Sequence, residues 1–196
     1  MPDLSKRLKD FSEKNSLLIL EKVSKGYSSE IHKAKTKEGK IIAVKIERDK
    51  SPRKDMCRKE AENLALANSV SVGPKLFYSD IENRAIAMEF IDGITFNKWL
   101  FESSPSKEHL KHFFYSLFLQ AKKLDGLHLS HGQLAGKGKN ILVVGNGKFF
   151  EPVIIDFEKA SVLRKPRNTK QLAGLLFANK NSEMCKKVKK ILEINQ

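Results

Sequence analysis

A carboxylate stands at the end of a short apolar stretch, Ile154-Ile155-Asp156-Phe157. The stretch predicts a buried strand over residues 153–157, which would aim the Asp156 side chain at a cleft. Carboxylate oxygen is a preferred ligand of Mg²⁺. We therefore expect Asp156 to be a magnesium ligand that is anchored by Phe157.

Two further segments hold groups that could meet the phosphates of a nucleotide. Lys45 closes the run AVK in a predicted strand, where a fixed ammonium could neutralise phosphate oxygens. Taken alone, a solvated strand lysine explains this short run better, because lysine is abundant in the sequence. The turn KGYSS over residues 25–29 offers backbone N–H groups and hydroxyls to phosphates, and taken alone it is better explained as an ordinary hairpin turn.

The elements that must position these groups follow from hydrophobic patterning. Leu4, Leu8 and Phe11 share one face of a predicted amphipathic helix. Alternating apolar residues then predict three antiparallel strands, a helix with Pro52 in its first turn, and a hairpin. The predicted elements are helices at residues 4–14 and 52–69 and strands at residues 16–24, 30–36, 40–47, 75–81 and 84–90.

The pattern becomes helical after the break at Asp92-Gly93, which is the best candidate for a boundary between lobes. Apolar residues at helical spacing predict a long central helix there. Asn146-Gly147 supplies the positive φ angles of a tight hairpin turn. The predicted elements are helices at residues 95–101, 106–127, 168–178 and 182–193, a polar loop at 130–139, a hairpin at 140–150 and the strand at 153–157.

Composition narrows the class of protein. The 196 residues include 37 Lys and Arg against 23 Asp and Glu, a formal net charge of +14. The lysines are spread along the chain, which favours a lysine-coated surface over the alternative of a site for nucleic acid or acidic proteins.

Cys57 and Cys185 are too few for a disulfide framework, so we expect reduced thiols and a cytoplasmic protein. No apolar run approaches the ~20 residues of a membrane span, so no membrane partner is expected.

The order of elements resembles the protein-kinase superfamily over residues 16–176. It runs strand, glycine turn, strand, AVK strand, glutamate helix, hairpin, break, helical lobe, and a polar loop ending in Asn140 before the IIDF stretch. It is most similar to the small atypical branch, the RIO-type kinases and the kinase subunit of the KEOPS complex, and especially to a compact archaeal group of predicted serine/threonine kinases. The resemblance implies an α+β, two-lobed protein-kinase-like fold, with a small antiparallel β-sheet N-lobe at residues 1–92 and a reduced, mainly helical C-lobe at residues 93–196.

The resemblance also implies a site for ATP and Mg²⁺ in an interlobe cleft. Lys45 would contact the α- and β-phosphates and would be held toward them by Glu60. Glu62 competes for that role, but two residues on, the face of the helix has turned by roughly 200°. Asn140 and Asp156 would bind Mg²⁺. The remaining contacts would be made to the phosphates by Lys25, Gly26 and Ser28, and to adenine by Met88, Glu89 and Ile91.

The segment HGQL at residues 131–134 resembles the catalytic loop, with two departures from the kinase pattern. Gln133 stands where an aspartate is usual, and Asn140 follows it after seven residues rather than five. An amide cannot accept a proton, but phosphoryl transfer depends mainly on positioning and charge neutralisation. We therefore expect a slow kinase in which Gln133 orients the nucleophile, with Asp125 or Glu158 as weaker candidates for the base.

Three functions are compatible with these residues. The first is an atypical serine/threonine kinase or ATPase that acts on a protein phosphoacceptor or on itself; because only 40 residues follow Asp156, no peptide-binding groove is expected. The second is a pseudokinase, a binding module gated by nucleotide. The third is a basic factor associated with RNA or ribonucleoprotein. Its contacts could include Lys186, Lys187, Lys189 and Lys190, although a packed terminal helix with solvated lysines explains that segment better.

Overall fold

A five-stranded antiparallel sheet and two helices make up the first of two units into which the chain divides, Met1–Asn68 with Pro74–Phe90. The computed structural model of the protein describes residues 3–51, 55–145 and 147–194. The elements of this unit are α1 (Leu4–Lys14), β1 (Leu18–Lys25), β2 (Ser29–Lys35), β3 (Ile41–Glu47), α2 (Met56–Asn68), β4 (Leu76–Asp80) and β5 (Ala85–Glu89). The predicted strands and hairpin are confirmed, with the sheet order β1-β2-β3-β5-β4. The predicted helix start at Pro52 lies outside the described residues.

The side chains of β3 point alternately to the two faces of this sheet. Ile42, Val44 and Ile46 are fully buried in a cluster that includes Phe11 of α1. Side chains one position along a strand face the opposite side of a sheet, so Lys45 lies on the other face. That face is the one on which α2 packs, as the contact between Lys45 and α2 described below shows.

The second unit, Ser69–Gly73 with Ile91–Gln196, combines a small antiparallel sheet with four helices among its described residues. A long helix is flanked by shorter ones, and the sheet order is β6-β7-β8. The elements are β6 (Ile94–Thr95), α3 (Phe96–Glu102), α4 (Lys107–Gly126), β7 (Ile141–Gly145), β8 (Phe150–Ile154), a 3₁₀ turn (Phe157–Lys159), α5 (Asn168–Ala173), a π-helical turn (Gly174–Ala178) and α6 (Glu183–Leu192). The predicted helices of this half are confirmed, and the lysines of α6 lie outside its buried residues, Met184, Cys185 and Val188.

The prediction of a separate strand at residues 153–157 is wrong. Val153 and Ile154 are the end of β8, where they pair with Leu142 and Ile141 of β7. The strand ends because Asp156 adopts left-handed backbone angles, φ 68° and ψ 69°, which extended structure excludes. The short strand β6 was not predicted, and Asn146 of the predicted hairpin turn lies outside the described residues.

An aromatic cluster forms the core of the second unit. Phe96 of α3 stacks on Phe113 of α4 with ring centroids 5.3 Å apart, and Trp99 lies 4.9 Å from Phe113. The buried face of α4 is the predicted one, since its buried side chains recur at helical spacing. Cys57 and Cys185 are both buried free thiols. Among the described residues there is no helix whose length and apolar character would let it span a bilayer.

Candidate functional site

A buried ion pair joins β3 to α2 in the first unit. Lys45 Nζ lies 2.5 Å from Glu60 Oε2, and the two side chains are 7% and 1% exposed. Glu62 is 62% exposed and pairs with Arg58 instead, at 3.1 Å. Burying two charges costs solvation that their attraction repays only with good geometry, so such a pair often marks a site where the charge is needed.

The loop between β1 and β2 is a tight turn held by an arginine. Gly26 N donates to Ser29 O at 2.8 Å, and Arg48 Nη1 donates to Gly26 O at 3.1 Å. Gly26 has no positive φ, and a Cβ there would meet its first neighbour, Ser29 O, at 3.4 Å. Ser28 is buried and accepts a hydrogen bond from Arg48 N through its backbone oxygen. The geometry thus matches a hairpin turn, and Lys25 extends toward Glu30, 3.9 Å away.

The predicted adenine contacts lie at the end of β5. Met88 is buried and pairs with Ala43 of β3. Glu89 N donates to Lys75 O at 2.8 Å, so this N–H is used inside the first unit. An adenine contact by Glu89 would therefore depend on its carbonyl group. The second unit consists of two stretches of the chain, and Ile91 begins the longer one.

The predicted catalytic loop is an irregular run of tight turns in the second unit. Gly136 N donates to Gln133 O at 2.9 Å, and Asn140 Nδ2 donates to the same oxygen at 3.3 Å. Gly138 has φ 68°, and a Cβ there would lie 2.8 Å from the Phe96 ring. The two additional residues between Gln133 and Asn140 are thus accommodated by a glycine-dependent turn that packs on α3.

Asp156 is held on strained backbone beside this loop. Its φ of 68° is left-handed, a conformation that eight other described non-glycine residues share, and it sets the direction of the side chain. Ile155 N donates to Asn140 O at 3.0 Å, and His131 Nε2 donates to Ile155 O at 2.9 Å. The Phe157 ring is fully buried and meets the His131 ring edge-on at 5.0 Å. These contacts fix the backbone on both sides of the Asp156 carboxylate.

His131 is itself a buried group in this arrangement. Burial lowers its pKa, an effect that the hydrogen bond to Ile155 and the charge of Asp156 only partly offset. Since a carbonyl accepts the bond at Nε2, the proton of the neutral ring is on Nε2. The imidazole is therefore a neutral structural donor rather than a base.

A polar network that the sequence did not reveal supports the predicted catalytic loop. Asn168 Oδ1 accepts from His131 N at 2.9 Å, while its Nδ2 donates to Leu129 O and to Asp125 Oδ1. Asp125 also accepts from the N–H and hydroxyl of Thr169. Burial by itself would raise the pKa of Asp125, but these hydrogen bonds outweigh it and the pKa is lowered. Asp125 is thus an anchor for the loop. Asn168 is the first residue of α5 and follows its N-cap, Arg167, so no capping pattern in the sequence pointed to this network.

A pocket of about 430 Å³ opens over the loop within the second unit. Among the described residues, neither Gln133 Oε1 nor Gln171 Oε1 has a hydrogen-bond partner, although both atoms are buried. A buried acceptor without a donor costs about 1–3 kcal/mol, so each of these oxygens lowers the stability of the fold. Gln171 was not predicted as a site residue. The lining residues are Gly132, Gln133, Ala135, Gly136, Lys139, Asn140 and Gln171.

Comparison with known proteins identifies a solved structure with a similar fold. No protein-family model matches the sequence, and no curated protein matches it. Among solved structures, the chain is similar to the Rio2 kinase from Chaetomium thermophilum, determined as an ADP/Mg²⁺-phosphoaspartate complex, with a TM-score of 0.58 and 16% identity. The match covers 96% of this chain and 66% of that chain, so this chain spans slightly less than two thirds of the Rio2 kinase chain.

The chain therefore has an RIO-like protein-kinase fold. Its α+β, two-lobed class with an antiparallel five-stranded sheet is confirmed. The resemblance to the KEOPS kinase subunit and to the archaeal group stays a prediction from the sequence. At this level of identity the likeness concerns the fold, and the chemistry must be argued from the residues of this chain.

Proposed function

We propose that this chain binds ATP with Mg²⁺ and acts as an atypical serine/threonine kinase of low turnover. In this proposal residues 1–92 form the N-lobe and residues 93–196 the C-lobe. The observation that carries the proposal is the buried Lys45–Glu60 ion pair within an RIO-like kinase fold. The similarity to a kinase whose structure contains ADP and Mg²⁺ supports the choice of nucleotide.

Lys45 and Glu60 have complementary roles in this proposal. An ammonium that is fixed by a buried carboxylate needs no reorganisation when it meets the α- and β-phosphates. Lys45 is fixed twice, by its strand backbone and by Glu60 Oε2 at 2.5 Å. We further assign phosphate contacts to the backbone of Lys25, Gly26 and Ser28, and adenine contacts to Met88, Glu89 and Ile91.

The donors at Asn140 and Asp156 fit a magnesium ion. Both offer oxygen, which Mg²⁺ prefers, and their backbones are joined through the Ile155 N–H. Asn140 Nδ2 donates to Gln133 O, which leaves its amide oxygen as the ligand. Bound Mg²⁺ would supply charge neutralisation for the phosphates. The chain itself orients the metal ligand, because left-handed backbone sets the direction of the Asp156 carboxylate.

Gln133 sets the expected rate. Its amide can accept a hydrogen bond from a nucleophile hydroxyl and orient it, but it cannot take up the proton. General-base help is typically worth about 10²–10⁴-fold, so the loss of it predicts slow turnover. The presence of glutamine where kinases usually have aspartate also favours the alternative that the chain is a pseudokinase, a binding module gated by nucleotide. A basic factor associated with RNA or ribonucleoprotein is the third hypothesis, motivated by the net charge of +14.

Tracking of the γ-phosphate separates these functions. Labelled ATP is incubated with the wild type, with Asp156→Asn and with the control Asp10→Asn in α1, and bound nucleotide, released phosphate and phosphoprotein are all measured. We expect slow transfer by the wild type and the control, and loss of it in Asp156→Asn. Equal release by all three proteins would reject the kinase proposal, whereas nucleotide binding without release by any of them would identify a pseudokinase.

A further inference from the structure

Glu47 is a buried carboxylate that has no role in the nucleotide site proposed above. It is the last residue of β3 and is 1% exposed. Lys45 lies two positions before it on the strand, so both side chains point to the same face of the sheet, on which α2 packs. A carboxylate loses solvation when it is buried, so its place in the fold requires partners that offset this cost.

The Glu47 carboxylate contacts the backbone at the start of α2. Its Oε1 accepts a hydrogen bond from Cys57 N at 2.7 Å, and Cys57 is the second residue of the helix. The first N–H groups of a helix have no partner within the helix and carry its partial positive charge, so a carboxylate beside them is stabilising. Glu47 thus caps the N-terminus of α2 from a neighbouring strand.

This contact and the Lys45–Glu60 ion pair together hold α2 at two points. Lys45 and Glu47 are two positions apart on β3. Their partners on α2, Glu60 and Cys57, are three positions apart and so share one side of the helix. A single contact would let the helix pivot, whereas two contacts fix both its rotation and its distance from the strand. The ion pair joins two long side chains, but the Glu47 contact reaches the helix backbone itself.

Glu47 is held in its turn by two arginines. Arg7 of α1 is fully buried, and its Nη2 donates to Glu47 O at 2.7 Å. Glu47 N donates to Arg84 O at 3.0 Å, and Arg84 Nη1 lies 3.8 Å from Glu47 Oε2. These contacts come from α1 and from the turn between β4 and β5. The backbone and the charge of Glu47 therefore have partners that do not depend on α2.

We propose that Glu47 is a positioning residue of the nucleotide site, which sets the N-terminus of α2 and thereby keeps Glu60 against Lys45. The inference rests on the proposed function, because it concerns how the lysine assigned to the phosphates is held. Without the Glu47 contact the first turn of α2 could move away from β3, and the Lys45 ammonium would lose its fixed direction. In this proposal Glu47 acts through α2 and touches neither the nucleotide nor the metal ion.

Cys57 can report on the start of α2 without any nucleotide. Its thiol is buried and donates to Lys45 O at 3.7 Å. Burial, together with the nearby charges of Glu60 and Glu47, raises the pKa of this thiol, so the thiol should be unreactive while α2 is in place. The chain has two cysteines, and the parent protein for the test carries Cys185→Ser, so that labelling of the native protein reports on Cys57 alone.

Two substitutions of Glu47 separate the reach of its side chain from its charge. Glu47→Gln keeps an oxygen at the same reach for the Cys57 N–H, whereas Glu47→Asp keeps the charge but is shorter by one methylene group. Thiol labelling and ATP affinity in the presence of Mg²⁺ are measured for both. We expect Glu47→Asp to be labelled about tenfold faster than the parent and to bind ATP about tenfold more weakly, because a buried hydrogen bond to a charged group is lost. Glu47→Gln should stay within about threefold of the parent in both measurements.

Asp80→Ala is the matched control for a general loss of stability. Asp80 is also a buried carboxylate of the first unit that accepts a backbone N–H, from Asn83 at 2.9 Å, and its partners Asn83 and Lys14 lie outside α2. Chemical denaturation measures the stability of each protein. Asp80→Ala should be destabilised, yet its ATP affinity should stay within about twofold of the parent.

Three results would overturn the proposal. One is an equal change of labelling and ATP affinity in Asp80→Ala and Glu47→Asp, which would make Glu47 a stabilising residue only. Another is a Glu47→Gln protein that behaves like Glu47→Asp or is affected more strongly, because the charge rather than the reach would then matter. The third is a Glu47→Asp protein that is indistinguishable from the parent.

Failure of this inference is distinguishable from failure of the proposed function. ATP binding that is equal in the parent and in Glu47→Asp would reject the positioning role and leave the nucleotide site intact. Faster labelling of Cys57 in Glu47→Asp alone, with no ATP binding by any of the proteins, would reject the nucleotide site and leave Glu47 as the residue that sets the start of α2.

Discussion

The candidate site residues of the two units stand on different kinds of backbone. In the first unit, Lys45 and Glu60 lie on a regular strand and a regular helix, and Lys45 Nζ is 2.5 Å from Glu60 Oε2. In the second unit, Gln133 and Asp156 lie on irregular backbone, and Asp156 is in the left-handed region. The amide oxygen of Gln133 is buried with no hydrogen-bond partner among the described residues. The first unit thus carries a buried charge pair on regular backbone, and the second carries polar groups on irregular backbone that the fold leaves partly without partners among the described residues.

This difference predicts how mutations in the two units behave. Substitutions in the buried ion pair should lower the stability of the fold, because they remove the charge that offsets the burial of the partner. Substitutions of Gln133 or Gln171 should not lower it in this way, because each removes a buried acceptor that has no hydrogen-bond partner among the described residues. Four measurements test this difference between the two units.

The largest stability effect is expected from Lys45→Ala. The substitution removes the ammonium that lies 2.5 Å from the buried Glu60 carboxylate, and it should lower the free energy of unfolding by about 3–5 kcal/mol. Chemical denaturation measures this change. The matched control Arg58→Ala removes an exposed ion pair with Glu62 and should cost less than about 1 kcal/mol. If both variants unfolded at the same denaturant concentration, the Lys45–Glu60 pair would not be the structural centre of the first unit.

A smaller loss is expected from Asn168→Ala in the second unit. The variant removes three hydrogen bonds of the buried asparagine, to His131 N, Leu129 O and Asp125, and should cost about 2 kcal/mol. Asn179→Ala, at an exposed position, is the control and should be within about 0.5 kcal/mol of the wild type. A stable Asn168→Ala protein would show that the loop keeps its place without this network.

The sequence was informative where local periodicity decides the structure. Strand alternation and helical spacing predicted the elements that carry Lys45 and Glu60, because each element is specified by its own residues. The contacts of Asn168 with Asp125 join residues that are 43 positions apart, and no local pattern encodes them. The same holds for Gln171, whose place at the pocket depends on the packing of α5 beside an irregular loop. The strand predicted at residues 153–157 was wrong because the backbone of Asp156 overrides its apolar neighbours.

The smallest effect on stability is a pH dependence that arises at His131. Its folded pKa is lowered below the ordinary value of 6.5, so the unfolded chain binds protons that the folded chain does not. Stability from this group is therefore fully present above pH 6.5 and falls as the pH drops below 6.5, by at most about 1.4 kcal/mol per pH unit. Unfolding curves of the wild type and His131→Asn measure this loss of stability. They are recorded between about pH 5 and pH 8, a range that spans the ordinary histidine pKa of about 6.5. The wild type should lose more stability toward pH 5 than the variant, and parallel curves would contradict the assignment.

Calorimetry of ATP binding with and without Mg²⁺ tests whether Asp156 holds a metal ion beside the nucleotide. The comparison uses the wild type, Asp156→Asn and the control Asp10→Asn in α1. The account predicts that Mg²⁺ strengthens ATP binding to the wild type and to the control, and that this gain is lost in Asp156→Asn, because the carboxylate supplies the charge that holds the metal. ATP binding that is indifferent to Mg²⁺ in the wild type, or a gain that survives in Asp156→Asn, would contradict it.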